Sequence, residues 1–355
     1  MPVAQPVNIA DLEALAADRL EPGAHGYFAG GAGDERTLRR NAEAFQGWEL
    51  WPRVLVDVAE VDTGIELLGA ELSLPVLVAP VAFQKLAHPE GEVAMARAAE
   101  AAGTVMCLST IATCGPTEVG GACAGTKWMQ LYCFRDRAIT RALLDEAAEA
   151  GFEAVLLTVD APYAGKRERD FRTGFEIPVD VTAPAVQAAT GKEELTVAEV
   201  FGLVDPSLDW DDLAELAESS ELPVFVKGLV RGDDAALAVE HGAAGVVVSN
   251  HGGRQLDNAP ATIDALPEVV DSVGGRIPVL MDGGIRRGTD VAVALALGAD
   301  AVLAGRPCLW GLAHDGQAGA ELALGILREE LRLALALLGC PSPAALDATH
   351  VRRRL

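Results

Sequence analysis

The chain has 355 residues, with 28 Lys and Arg against 52 Asp and Glu, so its formal charge is −24. Nucleic acid backbones and anionic membrane surfaces are bound through clustered basic residues, so this charge argues against both as partners. Half of the residues are hydrophobic and 23% are charged, a composition typical of a globular protein with a large core.

Targeting and metal-binding patterns are not evident in the sequence. The first ten residues carry no basic residue ahead of an apolar stretch, so no signal peptide is predicted. No apolar run reaches the roughly 18 residues that a membrane span needs. The six cysteines are Cys107, Cys114, Cys123, Cys133, Cys308 and Cys340. They form no CxxC pair, so we expect reduced thiols, no metal site and a cytoplasmic location.

The first predicted element is a helix over residues 9–20. Asn8 can cap this helix, and Asp11 in the first turn suits the positive end of the helix dipole. A Gly-rich segment, Gly30 to Gly33, follows Tyr27. It is not a dinucleotide-binding fingerprint, because no strand precedes it.

Eight short apolar runs, mostly followed by Ala- and Leu-rich stretches, dominate the middle of the chain. They cover residues 75–79, 104–108, 127–131, 154–158, 223–227, 245–249, 278–282 and 301–305. Continuous apolar character suits strands buried on both faces of a parallel sheet. Most run ends lie about 23 to 33 residues apart, the length of a strand, a helix and two turns. The sequence therefore predicts an α/β fold, a (β/α)8 TIM barrel in one domain over residues 1–355, with an N-terminal helical segment. An open doubly wound sheet remains the alternative, because spacing cannot show closure.

A much longer interval separates the fourth and fifth predicted strands, and it includes an Ala-, Thr- and Pro-rich stretch at 177–191. An insertion at the carboxyl end of strand four would overhang the catalytic face of a barrel. We therefore expect a mobile lid over about residues 170–215. Beyond the last strand, an apolar stripe at helical spacing predicts a packing helix over residues 320–338.

Polar residues and glycines stand where the predicted strands end, which in a barrel is the catalytic face. The turns Asp282-Gly-Gly284 and Gly305-Arg306 suit an anion bound by backbone N–H groups at a helix N-terminus, although such turns also occur in barrels without a ligand. His251 directly follows the sixth strand. It can serve as a base on the catalytic face or as a structural histidine bonded to a loop carbonyl.

Seven motifs together carry a family resemblance. They are Ala79-Pro80, Gln130-Leu-Tyr132, Thr158-Val-Asp160, Val226-Lys-Gly228, Ser249-Asn-His-Gly-Gly-Arg-Gln-Leu-Asp257, Asp282-Gly-Gly284 and Gly305-Arg-Pro307. On these motifs the chain resembles the FMN-dependent (S)-2-hydroxy acid oxidases and dehydrogenases over about residues 8–345. The resemblance implies FMN as cofactor, oxidation of a 2-hydroxy acid to the 2-oxo acid, and reduction of O2 to H2O2. It also implies a homo-oligomer, a tetramer or octamer.

The resemblance also implies residue roles. His251 would be the catalytic base, with Asp160 orienting it and Tyr132 bonding the reacting oxygen. The substrate carboxylate would be bound by Tyr27, Arg167 and Arg254. Lys227 would stabilise the reduced flavin, and a solvated lysine is the alternative at that position. The other implied cofactor contacts are Ala79, Pro80, Val81, Ala82, Ser109, Gln130, Thr158, Ser249, Asp282, Gly284, Arg286, Gly305 and Arg306. Arg167 is preferred to Lys166, and Arg286 to Arg287.

Substrate and electron acceptor are left open by the sequence. Ile111 and Val81 stand where plant glycolate oxidases have Trp and Thr, and residues 132–136 and 161–165 look closer to hydroxymandelate oxidase. Small aliphatic acids such as glycolate or lactate and aryl acids such as mandelate are therefore both candidates. A dehydrogenase using a quinone or another acceptor is the main alternative activity. An FMN-containing isomerase and a non-catalytic barrel are the remaining ones.

Overall fold

The computed structural model describes residues 6–178, 181–192 and 195–354. Its helices are α1 (Ile9–Arg19), α2 (Pro22–Ala29), α3 (Arg36–Glu43), α4 (Gly91–Ala102), α5 (Pro116–Ala122), α6 (Arg137–Glu149), α7 (Glu168–Thr173), α8 (Pro184–Thr190), α9 (Val197–Leu203), α10 (Trp210–Ser219), α11 (Gly232–Glu240), α12 (Thr262–Val273), α13 (Gly288–Ala296) and α14 (Arg306–Leu338). Its strands are β1 (Trp48–Leu50), β2 (Ile65–Leu67), β3 (Ala70–Leu72), β4 (Val76–Val78), β5 (Met106–Leu108), β6 (Lys127–Leu131), β7 (Ala154–Thr158), β8 (Val224–Leu229), β9 (Gly245–Val248), β10 (Val279–Asp282), β11 (Ala301–Ala304) and β12 (Val351–Arg353).

The strands β4 to β11 form a closed parallel barrel in the order β10-β11-β4-β5-β6-β7-β8-β9. Each of the eight predicted runs supplies one strand, with ends no more than two residues from the prediction. Closure depends on the pairing of β11 with β4, which sets Val302 opposite Val76. This pairing confirms the barrel and rules out the open sheet, because an open sheet would leave two unpaired edges.

Apolar side chains fill the barrel interior from its amino-terminal end. The cluster includes Ala154 and Ala301, the first residues of β7 and β11, and the rings of Trp128 and Phe225, whose centroids lie 5.0 Å apart. The hairpin of β2 and β3 adds Leu67 and Leu72 to the same cluster. Because this end is plugged, a ligand can approach only the carboxyl ends of the strands.

The first and last helices agree in part with the helices predicted from the sequence. At α1, the Asn8 side chain accepts a hydrogen bond from the Asp11 backbone N–H at 2.9 Å, as a cap should. The helix predicted over 320–338 is the second part of α14, which already begins at Arg306. Helical geometry breaks at Asp315 and Gly316, where φ is −156° and +55°. The prediction missed the first part because most of it is buried and shows no one-sided apolar stripe.

Four helices, α7 to α10, lie between β7 and β8. The insertion contacts the segment after β6 through an isolated antiparallel bridge between Phe134 and Val204. Residues 179, 180, 193 and 194 of the predicted lid lie outside the described residues. Mobility of this lid stays a prediction.

The described residues contain no helix that combines the length and apolar character of a membrane span. All six cysteines fall within these residues, where they are buried and free of disulfides. No group of three or more metal-binding side chains was found in this part of the chain.

Candidate active site

An open cavity lies at the carboxyl ends of the barrel strands. Each barrel strand contributes to its wall, either directly or through the segment that follows the strand. Of the residues singled out in the sequence, it is lined by Tyr27, Ala79, Pro80, Val81, Ala82, Ser109, Gln130, Tyr132, Thr158, Arg167, Lys227, His251, Arg254, Asp282, Gly284, Arg286, Gly305 and Arg306. Asp160 and Ser249 do not line the cavity. Asp160 is hydrogen-bonded to His251 and Ser249 to Lys227, and both of these partners line it.

The cavity is strongly cationic although the protein is acidic. Five basic side chains line it, namely Arg167, Lys227, Arg254, Arg286 and Arg306. Among the described residues, Asp282 is the one carboxylate in the wall, and it is paired with Lys227 at 3.0 Å. The excess positive charge suits an anionic ligand. The overall charge of −24 therefore describes the exterior rather than the site.

Lys227 of β8 is held in place by two partners, one just after β9 and one at the end of β10. Its Nζ lies 3.0 Å from Asp282 Oδ2 and donates to Ser249 Oγ at 3.0 Å. Burial would lower the pKa of Lys227, but Asp282 and then Asp160 outweigh it and raise that pKa. Lys227 is only 4% exposed, so the solvated alternative is wrong. Ser249 bonds Asp282 and Lys227, which places it behind the cavity rather than at its surface.

The loop after β9 carries His251 in an unusual backbone conformation. His251, Gly252 and Gly253 all have positive φ, and His251 at +58° is in the left-handed region that favours glycine. Asn250 stabilises this loop by accepting a hydrogen bond from the Gly253 N–H. Asn250 also exchanges two 2.8 Å amide hydrogen bonds with Asn41 of α3. Strain that is held by its surroundings is common at functional sites. Sequence reasoning missed Asn41, which carries no motif.

His251 and Asp160 form a partly buried hydrogen-bonded pair. The His251 Nδ1 lies 2.8 Å from Asp160 Oδ1. Burial would raise the pKa of Asp160, but His251 and Lys227 lower it. An ionised carboxylate can only accept, so Nδ1 carries the proton and Nε2 is left as the free ring nitrogen. The alternative of a histidine bonded to a loop carbonyl is wrong.

A row of polar side chains crosses the ends of β5, β6 and β7. Gln130 donates from Nε2 to Thr158 Oγ1 at 3.0 Å, and its Oε1 accepts from the Thr110 backbone N–H at 3.0 Å. Ser109 Oγ lies 3.4 Å from the same Oε1. The structure thus brings three predicted residues from separate strands into one donor and acceptor array facing the cavity.

Two arginines flank the ring of Tyr27 at one end of the cavity. The guanidinium carbons of Arg254 and Arg167 lie 4.8 and 5.4 Å from the ring centroid. Burial, and then Arg167, lower the pKa of Arg254 to about 10, which leaves it charged at neutral pH. Lys166 is 74% exposed, against 17% for the side chain of Arg167. The exposure supports the choice of Arg167.

Another end of the cavity is formed by the turns after β10 and β11. Gly305 immediately precedes α14, and a Cβ placed there would lie 3.5 Å from that of Ala79 and 3.6 Å from Val81 Cγ2, inside the cavity. Helix N-termini bind anions through free backbone N–H groups. Arg286 lines this end, whereas Arg287 pairs with Glu330 at 3.0 Å outside it.

An apolar wall lies beside the reactive groups. Tyr132 is 5% exposed, and its ring centroid lies 5.8 Å from that of Phe201 of α9. Burial, and then Asp160, raise the pKa of Tyr132, so its hydroxyl is a neutral donor. Ile111 and Leu309 add further apolar side chains to the cavity lining. Phe201 carried no sequence signal, because only the folded insertion brings α9 over the barrel.

Comparison with known proteins places the chain among flavin enzymes. A family model described as FMN-dependent dehydrogenase matches residues 16–353. L-lactate oxidase of a Nostoc species is 48% identical over 98% of this chain and 99% of its own length. Glycolate oxidase 3 of Arabidopsis thaliana is 46% identical over 97% and 95%. A crystal structure of mandelate oxidase with (S)-4-hydroxymandelic acid superposes with a TM-score of 0.92 at 42% identity, covering 98% of each chain.

Proposed function

Because the chain belongs to the FMN-dependent dehydrogenase family, we propose that it oxidises an (S)-2-hydroxy acid to the 2-oxo acid and reduces O2 to H2O2. The pairing of His251 with Asp160 carries this proposal. It leaves a basic ring nitrogen in a cavity whose cationic groups can fix a carboxylate. Abstraction of a proton from a 2-hydroxy acid needs a base, and it needs positively charged groups in the same cavity to bind the carboxylate.

The cavity fits FMN in charge and in its set of hydrogen-bonding groups. The space left by Gly305, the N-terminus of α14 and Arg286 suit the phosphate. Asp282 would bind the ribityl hydroxyls, and Ser109, Gln130 and Thr158 match the polar edge of a flavin ring. The backbone from Ala79 to Ala82 would lie against the ring. When bound, FMN supplies the electron acceptor for the carbinol and the donor to O2. Lys227 places a buried positive charge where negative charge would develop.

The substrate end follows from the remaining groups. Arg167 and Arg254 would bind the carboxylate through planar guanidinium donors, with the Tyr27 hydroxyl as a third donor. Tyr132 would donate to the substrate oxygen. His251 Nε2 would take the proton that leaves the carbinol, and Asp160 would stabilise the imidazolium that forms.

We propose an apolar substituent on the substrate, either a small aliphatic or an aryl group. The wall of Ile111, Phe201 and Leu309 offers no charged or polar partner to that substituent. The named substrates of the relatives, glycolate, lactate and mandelate, span this range. An isoleucine occupies less volume than an indole, which favours the larger substituents.

A homo-oligomer and a cytoplasmic location are also proposed. Val54 and Leu55 are 80% and 104% exposed in a loop that packs on the C-terminal end of α14, where Leu337 is 69% exposed. The Arg53 backbone N–H donates to the Leu338 carbonyl at 3.0 Å, which holds the loop against that helix. An apolar patch of this kind suits contact with a second copy.

The buried free cysteines fit a reducing compartment.

The test is anaerobic mixing of the FMN-loaded protein with (S)- and (R)-2-hydroxy acids. Lactate, glycolate and mandelate are compared by loss of flavin absorbance, and the reduced protein is then mixed with O2 while peroxide is measured. Bleaching by (S)-acids alone and peroxide on reoxidation are expected. Absence of bleaching would reject the proposal. Bleaching with slow reoxidation by O2 but fast reoxidation by a quinone would replace the oxidase with the dehydrogenase.

A further inference from the structure

The last turn of α2 is capped by two arginine side chains from elsewhere in the chain. The final carbonyls of a helix have no partner within it. Arg254 Nη1 donates to the carbonyls of Tyr27 and, at 3.1 Å, Gly30. Arg306 donates from Nε to Phe28 at 2.9 Å and from Nη2 to Gly30 at 2.8 Å. The Gly30 carbonyl is therefore shared by both guanidinium groups, at the negative end of the helix dipole.

Arg306 also reaches the loop that carries the catalytic base. Its Nη1 donates to the Gly252 carbonyl at 3.0 Å. A Cβ on Gly252 would lie 3.0 Å from that nitrogen, and φ there is +61°, so the close approach depends on glycine. One side chain thus bonds the segment behind Tyr27 and the residue after His251.

The Gly-rich segment noted in the sequence completes this junction. Ala32 N–H donates to the Gly253 carbonyl at 2.9 Å, and Gly33 N–H donates to the Lys166 carbonyl at 3.0 Å. A Cβ on Gly30 would lie 2.7 Å from the Gly26 carbonyl oxygen. The segment therefore joins α2, the loop after β9 and the start of the insertion at very close spacing.

We propose that Arg306 is a positioning residue for the substrate end of the cavity. By holding Phe28, Gly30 and Gly252 together, its side chain fixes Tyr27, Arg254 and His251 relative to one another. The inference rests on the proposed function, since it assigns those three residues to substrate. Three of the five guanidinium N–H groups are used by carbonyls, which leaves two N–H groups for any anion in the cavity.

The variant Arg306→Lys tests whether Arg306 acts by positioning the substrate end or only by attracting a phosphate through its charge. Lysine keeps the positive charge but cannot span three carbonyls on two segments with a planar fork. The variant is saturated with FMN, with loading checked by flavin absorbance, before kinetics are measured. We expect KM for the 2-hydroxy acid, and Kd for oxalate from the flavin difference spectrum, to rise about tenfold or more.

Gly30→Ala provides the second variant, with Gly26→Ala as matched control. Gly26 lies in the same helix, and a Cβ there meets no heavy atom within 4 Å. Displacing the Gly30 carbonyl disturbs Arg254 and one of the three carbonyl contacts of Arg306, whereas the contact of Arg306 with Gly252 does not involve Gly30. We therefore expect KM and oxalate Kd to rise about tenfold and kcat to change less than about threefold. Gly26→Ala should leave both near the wild-type values.

Hydrogen exchange of the apoproteins gives a readout that does not require activity. Amides of the peptide covering residues 22–33 should exchange faster in Arg306→Lys and Gly30→Ala than in the wild type or Gly26→Ala. The inference is overturned if FMN-saturated Arg306→Lys binds oxalate with wild-type affinity, or if its apoprotein exchanges these amides as slowly as the wild type, even where FMN itself binds more weakly. If 2-hydroxy acids failed to bleach the flavin of the wild type, the proposed function would be rejected. The exchange result would still show whether Arg306 holds residues 22–33 in place.

Discussion

Asp160 accepts a 2.8 Å hydrogen bond from the Nδ1 of His251, 91 positions further along the chain. Asp160 comes from the end of β7 and His251 from the loop after β9, and the intervening Gly228 has no side chain to separate them. A Cβ on Gly228 would lie 2.7 Å from that of Asp160. The contact therefore depends on a glycine with φ of +115° in the strand between them.

Replacement of Asp160 by Asn should reduce turnover strongly while flavin stays bound. An amide nitrogen facing Nδ1 favours the tautomer with the proton on Nε2, which cannot act as a base. In a comparable triad this change costs about 10⁴ in kcat, so we expect a loss of about 10² to 10⁴ in the rate of anaerobic flavin reduction. Asp271→Asn, an exposed carboxyl on α12, is the control. Wild-type reduction rates in Asp160→Asn would contradict the assigned role.

Removal of the buried cation at Lys227 should destabilise the fold. Lys227→Met leaves the Asp282 carboxylate without its partner, which costs about 3–5 kcal/mol for a buried pair. Urea unfolding of the apoprotein at neutral pH measures this loss. Lys227→Met/Asp282→Asn should recover part of it, because the unpaired charge is gone. A loss below about 1 kcal/mol would show that the pair is not buried in solution.

The pH dependence of this pair has a definite sign. The pKa of Lys227 is raised above 10.5 in the folded protein. Its stabilisation is therefore fully present below the unfolded pKa and is lost only as pH rises through the folded value. The difference in unfolding free energy between wild type and Lys227→Met should stay constant from about pH 6 to 9. A difference that shrinks across this window would contradict the direction of the shift.

Substrate size preference should respond to the apolar wall. Ile111→Trp fills the cavity beside Tyr132, so kcat/KM for mandelate should fall relative to glycolate by about 10- to 200-fold, the range for a few kcal/mol of steric cost. Phe201→Ala should shift the ratio in the opposite direction. The ratio of the two substrates is measured at fixed FMN saturation. No change in either variant would place the substituent elsewhere in the cavity.

Association should depend on the exposed loop before β2. Leu55→Asp introduces a charge at the centre of the apolar patch and should shift the protein to smaller species in sedimentation velocity. Val7→Asp, at another exposed apolar residue, should leave the distribution unchanged. A Leu55→Asp protein that sediments as the wild type would move the interface to another face.

The local pattern of residues determined the elements and much of the site. Each continuous apolar run became a barrel strand because burial on both faces requires apolar side chains throughout. Residues at or just after the ends of those runs, such as Lys227 and His251, then had to lie at one end of the barrel. The order of the seven motifs was sufficient to identify the family.

Contacts between distant segments were decided only by the tertiary structure. Asn41 and Asn250 are 209 positions apart, and their paired amides stabilise the His251 loop without any local signal. Three other features also depend on contacts between distant segments. They are the closure of the barrel through β11 and β4, the position of Ser249 behind the cavity and the three carbonyl contacts of Arg306. Local periodicity reports how deeply a residue is buried, whereas its partner is chosen by the packing of the whole chain.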